Sequence, residues 1–161
     1  FAELEQHEIS ANIRLNWTFT PKLSLELFAQ PLVSSGDYRG HKELAAPSSY
    51  DFLTYGTGGS TITPVTDVDG QVTGYTADPD GAGPAAPLDL PNNDFTFASL
   101  RGNAVLRWEY LPGSTLYFVW TQNRANETMD GSFDPGAAFS RLGDNPGENV
   151  FAVKISYWWH P

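Results

Sequence analysis

Two short acidic runs in the middle of the chain have the residue types and the spacing of a calcium-binding turn. They are Asp67-Val-Asp69-Gly70 and Asp78-Pro-Asp80-Gly81. Alternate carboxylates in a tight turn can place several oxygens around one Ca²⁺ ion. Neither run continues to the later bidentate Glu of an EF-hand, and Asp-Gly is also an ordinary turn sequence, which is the interpretation that the sequence favours. A calcium site at Asp67, Asp69, Asp78 and Asp80 is therefore a hypothesis beside a purely structural role.

No other group of residues predicts catalysis. The three histidines, His7, His41 and His160, are scattered, without the spacing of a transition-metal site. The run Gly56-Thr-Gly-Gly-Ser60 lacks the Gly-Lys-Ser/Thr ending of a phosphate-binding loop, and no serine stands in a nucleophile-elbow context. We therefore expect a protein that is not an enzyme and whose sole candidate cofactor is Ca²⁺.

The composition excludes several classes of structure and partner. The 161 residues carry a net charge of -10 with only 9 Lys and Arg, which argues against nucleic acid, because phosphate must be neutralised by basic side chains. There is no Cys, so disulfides are excluded, and no apolar run of about 18 residues predicts a transmembrane helix. Aromatic residues make up 14% of the chain, beside 15 Gly and 12 Pro, which favours strands and loops over helices.

The elements that would position any site are β-strands. Apolar and polar residues alternate over residues 8–20, 23–33, 97–110, 115–123 and 149–159, and a period of two predicts strands with one apolar face. Turn sequences at Thr20-Pro21-Lys22 and at Pro112-Gly113 join neighbouring strands into hairpins. We predict an all-β fold: an antiparallel meander of about five long amphipathic strands in a single β domain over residues 1–161.

The connections between these strands alternate between short and long. The long loops cover about residues 34–96 and 124–148, and the first contains a candidate hairpin from Ile62 to Tyr75 around a type I′ turn at Asp69-Gly70. In a meander, both tight turns would lie at one end of the sheet and both long loops at the other. Such sorting is typical of outer-membrane barrels, although five strands could show it by chance.

Two sets of side chains fit strands that cross a membrane. Charges of both signs lie inside strands opposite the apolar stripe, where they would line a barrel lumen or form the solvated face of a sandwich: Arg14, Glu26, Arg101, Arg107, Glu109 and Lys154. Aromatic residues lie near strand ends on the short-turn side and predict a membrane-interface girdle: Trp17, Phe19, Trp108, Tyr110, Tyr157 and Trp159. The same aromatic residues would also suit a sugar-stacking platform.

Three segments carry a resemblance to a known family. They are Ile9-Ser-Ala-Asn-Ile-Arg-Leu-Asn-Trp-Thr-Phe-Thr-Pro-Lys-Leu-Ser24, Arg107-Trp-Glu-Tyr-Leu-Pro-Gly-Ser-Thr-Leu-Tyr-Phe-Val-Trp-Thr-Gln122 and Asn149-Val-Phe-Ala-Val-Lys-Ile-Ser-Tyr157. These segments resemble the C-terminal part of large bacterial surface proteins that join an N-terminal carbohydrate-binding-like module to a C-terminal outer-membrane β-barrel of unknown function. The resemblance covers the strands and turns but not the long loops. It implies a location in the outer membrane or on the surface of a Gram-negative-type bacterium, and it supplies no catalytic residues. Barrel-assembly signals end on an aromatic residue, whereas His160-Pro161 follow Trp159 here.

Five strands are too few for a membrane barrel, since single-chain barrels begin at about eight. The chain starts at Phe1 without Met or a signal peptide, so we expect a processed product or a fragment of a longer protein. The leading hypothesis is a non-enzymatic outer-membrane β-barrel segment with a surface or scaffold role, whose partners are lipid or further β-strands. One alternative is a cleaved fragment that self-assembles through strand edges into an extracellular homo-oligomer, tube or filament. Another is a soluble carbohydrate-binding β-sandwich.

Overall fold

The computed structural model describes residues 1–159, most of which lie in antiparallel β-strands. The strands are β1 (Glu3–Ser10), β2 (Ile13–Thr20), β3 (Leu23–Arg39), β4 (Lys42–Leu44), β5 (Phe52–Thr54), β6 (Thr61–Thr66), β7 (Val72–Asp78), β8 (Leu88–Pro91), β9 (Phe95–Leu111), β10 (Ser114–Thr128) and β11 (Glu148–Ser156); the helix is α1 (Pro135–Asp144). The prediction of an all-β fold with antiparallel pairing is confirmed. No helix within these residues has the length and hydropathy to cross a membrane.

The long strands form one sheet in the order β1–β3–β9–β10–β11, with β2 also paired to β3. β1 and β2 pair with successive parts of the same edge of β3, so together they occupy the place of one strand. Counted in this way, the sheet is five strands wide, and we call these five places its positions. The order is linear in the part of the chain that the structure describes, because β11 pairs with neither β1 nor β2. The described sheet is therefore open, with β1 and β2 at one edge and β11 at the other.

A proline explains why the first predicted strand, residues 8–20, is divided into β1 and β2. The Ala11 N–H donates to the Pro31 carbonyl over 3.1 Å, and Ile13 pairs with Ala29 in the same register. Because Pro31 has no N–H, it cannot return the second hydrogen bond of that pair. The alternation of side chains therefore continues through the break, and only the hydrogen-bond ladder is interrupted.

Other strand bounds differ from the predicted ones at the long connections. β3 continues to Arg39 instead of residue 33, and β10 continues to Thr128 instead of residue 123. The added residues are mostly polar or glycine, so they show no apolar alternation that would have marked them as strand. β11 ends at Ser156, so Tyr157 to Trp159 follow the strand instead of belonging to it. The prediction concerning His160-Pro161 lies outside the described residues.

The tight turn between β9 and β10 is fixed from two sides. Gly113 has a φ of 75°, a left-handed conformation that favours glycine, and its N–H donates to Glu109 Oε1 over 3.3 Å. A Cβ at Gly113 would lie 3.1 Å from Cβ of Trp158, and the Trp158 N–H donates to the buried Ser114 Oγ over 2.9 Å. Trp158, which follows β11, therefore packs on this turn.

The chain divides into two compact units, a finer division than the single β domain predicted for residues 1–161. The loop unit consists of Phe1–His7, Ser35–Thr96 and Thr128–Phe133, and the sheet unit consists of Glu8–Ser34, Phe97–Glu127 and, among the described residues, 134–159. The ends of the longest strands belong to the loop unit, which also contains all of the short strands.

In the loop unit, β4 pairs with β5, and β6, β7 and β8 form a three-stranded sheet. The predicted hairpin from Ile62 to Tyr75 is confirmed as β6–β7, but its turn is not type I′. The Gly70 N–H donates to the Asp67 carbonyl over 3.2 Å, and Gly70 has a φ of 79°, whereas Asp69 does not have the positive φ that type I′ requires. A type I turn followed by a left-handed glycine, with a bulge at Val65 and Thr66, fits this geometry.

In the sheet unit, α1 occupies part of the predicted loop over residues 124–148. It begins after Asp134, whose side chain accepts from the Ala137 N–H over 3.0 Å, and Pro135 takes the first turn, where a missing N–H costs nothing. Ala138 packs with Val33 and Ala98 in the small buried core of this unit. The helix has only ten residues, too few for its periodicity to stand out in the sequence.

Candidate functional site

One face of the sheet unit is apolar and exposed. Cross-strand pairs such as Trp17 with Leu25, Phe118 with Val153 and Trp120 with Phe151 place large apolar side chains on one side of the sheet. We call this side the apolar face; its members are Ile13, Leu15, Trp17, Phe19, Leu25, Leu27, Leu116, Phe118, Trp120, Phe151, Val153 and Ile155. Several are more than half exposed, including Val153 at 61% and Phe151 at 63%. Large exposed apolar surfaces are typical of sites that contact lipid, a ligand or another protein.

The opposite side of the sheet, which we call the polar face, carries the predicted charges. Arg14 pairs with Phe28 across β2 and β3, with its guanidinium 5.5 Å from the ring centroid, and Glu26 pairs with Asn16. These residues and Asn103 line a shallow groove. The polar face thus pairs charges with amides and an aromatic ring in place of building a core.

The remaining predicted charges lie on the same face of β9 and β11. Arg107 Nη2 lies 3.9 Å from Glu109 Oε2, and Lys154 pairs with Tyr117 across β10 and β11. Arg101 shares its side of β9 with these residues and is exposed. The six charges therefore follow one face of the sheet without converging on a single point.

The predicted aromatic girdle consists of pairs near the tight-turn end of the sheet. Trp17 stacks on Phe19 with ring centroids 5.5 Å apart, and Trp108 meets Tyr110 edge to face at 6.2 Å. The Tyr110 hydroxyl donates to the Ser156 carbonyl over 3.3 Å, which ties this pair to the end of β11. Tyr157 and Trp159 follow that strand and are 67% and 76% exposed.

Sequence reasoning missed a second aromatic group at the other end of the apolar face. Trp120 stacks on Phe151 with centroids 6.4 Å apart, and the Trp120 Nε1–H donates to Asn149 Oδ1 over 3.0 Å. Beyond Trp120, the next residues on this side of β10 are Gln122 and Arg124, so the face turns polar. The change from Leu116, Phe118 and Trp120 to polar residues at alternate positions was the available signal. The apolar face therefore has aromatic borders at both ends.

The borders define the height of the apolar face. Asn149 at one border and Tyr157 at the other are separated along β11 by about 27 Å, from a rise of about 3.4 Å per residue. In a membrane barrel, whose strands tilt by about 45°, a strand segment of this length would span about 19 Å along the axis. That height is somewhat less than the apolar band of about 25 Å in outer-membrane barrels.

Three of the four aspartates proposed as calcium ligands accept hydrogen bonds within their own turns. Asp67 Oδ1 accepts from the N–H groups of Asp69 and Gln71, both over 2.9 Å. Asp78 Oδ1 accepts from the N–H of Asp80 over 3.3 Å and from that of Gly81 over 2.9 Å, and Asp80 Oδ2 accepts from the Ala85 N–H over 3.0 Å. Within residues 1–159, no group of three or more His, Cys, Asp or Glu side chains is arranged to hold a metal ion. A calcium site stays a hypothesis, and a turn role accounts for three of these carboxylates.

The loop unit contains a pocket of about 370 Å³ lined by Phe1, Tyr38, Lys42, Glu43 and Tyr55, among others. Lys42 Nζ donates to Glu3 Oε1 over 2.7 Å, and this bond lowers the pKa of Glu3. The Tyr55 hydroxyl donates to Glu43 Oε2 over 3.1 Å, and burial, together with this carboxylate, raises the pKa of Tyr55. These two hydrogen bonds engage the side chains of Lys42, Glu43 and Tyr55 in the wall of the pocket.

Comparison with known proteins found no matching family model, no matching curated protein and no matching solved structure.

Proposed function

We propose that the chain is a non-enzymatic segment of an outer-membrane β-barrel with a surface or scaffold role. In this proposal the apolar face contacts lipid and the polar face lines the lumen. The observation that carries the proposal is the one-sided distribution of side chains: the apolar face is exposed on β2 and β11 and largely half-buried on β3 and β10, while charges of both signs lie on the opposite side. A sandwich would bury that face against a second sheet, whereas a barrel wall would leave it for the acyl chains.

The energetics support a lipid environment for this face. Complete burial of a Val, Ile or Phe side chain contributes about 1.5–3 kcal/mol, and much of this is not realised while Phe151, Val153 and Ile155 are exposed. In contact with acyl chains, these side chains would leave water without any change in strand pairing. The nine residues of β11 also match the roughly 9–11 that cross a bilayer as a tilted strand.

The connections between the strands support a surface role. Antiparallel order puts both tight turns at one end of the sheet and sends the connections that contain α1 and the short strands from the other end. Outer-membrane barrels have short periplasmic turns and longer extracellular loops. We therefore assign the end of the sheet with the tight turns to the periplasm.

Fluorescence of the native tryptophans tests the proposal. The chain is reconstituted into vesicles whose acyl chains carry bromine, and we expect blue-shifted emission and strong quenching, because Trp17, Trp108 and Trp120 lie on or at the borders of the apolar face. Heat-modifiable migration in electrophoresis should accompany the quenching. A monodisperse 17.7 kDa monomer in detergent-free buffer, with no quenching when vesicles are added, would refute the proposal.

Self-assembly through strand edges is the second candidate, and the open edges of the sheet favour it. Every residue of β2 and of β11 is exposed, and neither strand contains the proline that often protects an edge. Copies of the chain would then form an extracellular oligomer, tube or filament. Electron microscopy of detergent-free samples distinguishes the candidates, since tubes or filaments without lipid favour assembly.

A further inference from the structure

Arg124 lies on the same side of β10 as the apolar face, beyond its loop-side border. It is four residues from Trp120, which corresponds to about 13 Å along the strand and, at a tilt of about 45°, to about 9 Å along the barrel axis. The headgroup layer beyond the hydrocarbon core is about 5–8 Å thick on each side. If Trp120 marks the edge of the hydrocarbon, the backbone of Arg124 lies at the outer limit of the headgroup layer.

The side chain of Arg124 is held in place but is not neutralised. Its Nη1 donates to the Gly143 carbonyl near the end of α1 over 3.0 Å, and a Cβ at Gly147 would overlap the arginine stem. Its Nε is buried without an acceptor, and none of the ion pairs within residues 1–159 includes Arg124. A buried guanidinium donor without an acceptor is costly, and an anion beside the guanidinium would offset part of this cost.

The pocket beside Arg124 has an apolar wall. Its volume is about 230 Å³, and its lining includes Leu100, Phe139 and Leu142 together with Gln122. Leu142 is buried at 2% exposure, whereas Phe139 is 36% exposed at the rim. A cation beside aliphatic and aromatic side chains matches a ligand with an anionic head and an apolar chain.

We propose that this pocket binds the phosphate of a phospholipid, with Arg124 on the phosphate and Leu100, Phe139 and Leu142 along the first part of the acyl region. Arginine suits this anion because its fork of N–H donors matches phosphate oxygens in two-bond geometry. The proposal rests on the membrane role proposed above and adds a defined headgroup contact at the loop-side border of the apolar face.

Nuclear magnetic resonance of the arginine Nε–H group provides a direct test. The full chain is held in dodecyl maltoside micelles, which lack phosphate, and is titrated with dodecylphosphocholine, which has the same chain length. We expect a saturable downfield shift of the Arg124 Nε–H resonance, since the group gains an anionic acceptor. Arg124→Gln should weaken the apparent affinity for dodecylphosphocholine about tenfold or more, and Arg124→Lys should restore part of it.

The controls distinguish binding at the Arg124 pocket from a general effect of net charge, and they test this binding separately from the proposed membrane role. Lys22→Gln makes the same change in net charge at the tight turn and should leave the affinity unchanged; equal losses in the two Gln variants would overturn the proposal. A full shift with inorganic phosphate alone would identify a free-phosphate site and would refute the lipid source. If bromolipid quenching persists while Arg124→Gln binds dodecylphosphocholine as tightly as the unchanged chain, this inference fails and the barrel proposal stands. Absence of bromolipid quenching in the unchanged chain would refute the barrel proposal itself.

Discussion

A pair of valine substitutions tests whether the apolar face contacts lipid. Val153 lies on the apolar face of β11, opposite Phe118, and Val119 lies on the polar face of β10, opposite Ala152. The two positions are neighbours in the same ladder, so Val153→Arg and Val119→Arg make the same chemical change on opposite faces. A difference between the two variants in the free energy of unfolding therefore reports the different environments of the two faces.

The expected magnitude follows from the depth of Val153. It is four residues from Asn149 and four from Tyr157, the two borders of the apolar face, and therefore lies close to the bilayer midplane. An arginine on the lipid face at the midplane costs about 2–4 kcal/mol, and a substitution in the lumen has no such cost. In water both positions have contact with solvent, and surface substitutions change stability by about 0.5 kcal/mol or less.

Equilibrium unfolding by urea measures the difference, once in lipid vesicles and once in detergent-free buffer. In vesicles, Val153→Arg should lower the free energy of unfolding by about 2 kcal/mol or more relative to Val119→Arg. In buffer the two variants should be nearly equal, and Val153→Leu should behave like the unchanged chain in both conditions. Equal destabilisation in vesicles, or a larger loss for Val119→Arg, would show that the assignment of the two faces is wrong.

Substitutions at four further positions test local features. Asp67→Ala should destabilise the β6–β7 hairpin by about 1–2 kcal/mol through loss of two hydrogen bonds, and Asp67→Asn should largely preserve it; a calcium-dependent rise in melting temperature that Asp67→Asn abolishes would instead support the metal site. Asp134→Ala removes the N-cap of α1 and should cost about 1 kcal/mol, measured as faster amide exchange in that helix. Gly113→Ala forces a side chain into a left-handed turn close to Trp158 and should cost about 1–2 kcal/mol, with a change in tryptophan emission. Because the pKa of Tyr55 is raised, its contribution to stability is present below pH of about 10 and is lost as the pH rises through the raised value; Tyr55→Phe should flatten that alkaline loss in pH-dependent unfolding.

The strands and their faces could be predicted from sequence because a period of two is a local property. The alternation around Trp17 and around Val153 placed the apolar and polar sides correctly, and the proline-containing turns located two hairpins. The break between β1 and β2 was not visible, since its cause is Pro31 on the partner strand, far from Ala11 in sequence. A break in hydrogen-bond pairing that is caused by a residue of the neighbouring strand cannot be predicted from the strand's own sequence.

The Arg124 pocket was also beyond sequence analysis. Its wall requires α1 to bring Phe139 and Leu142 beside Leu100, and the helix is too short to predict from its own ten residues. The turn role of Asp67 was among the predicted alternatives, but its acceptance of two backbone N–H groups depends on the bulged form of the hairpin. In both cases the missing information is the contact between segments that are distant in sequence.

The number of positions in the open sheet constrains what can close it. With five antiparallel positions, the two edge strands run in the same direction, so a ring of copies joined head to tail would have a parallel seam between β11 and the next β1–β2. Two copies that keep their apolar faces on the same side can pair antiparallel only through like edges, about a two-fold axis that sends their tight turns to opposite ends. All-antiparallel closure of a single sheet requires an odd number of additional strands, and three would reach the minimum of about eight. All-antiparallel barrel closure and head-to-tail pairing of copies therefore place strands of opposite direction beside the same free edge.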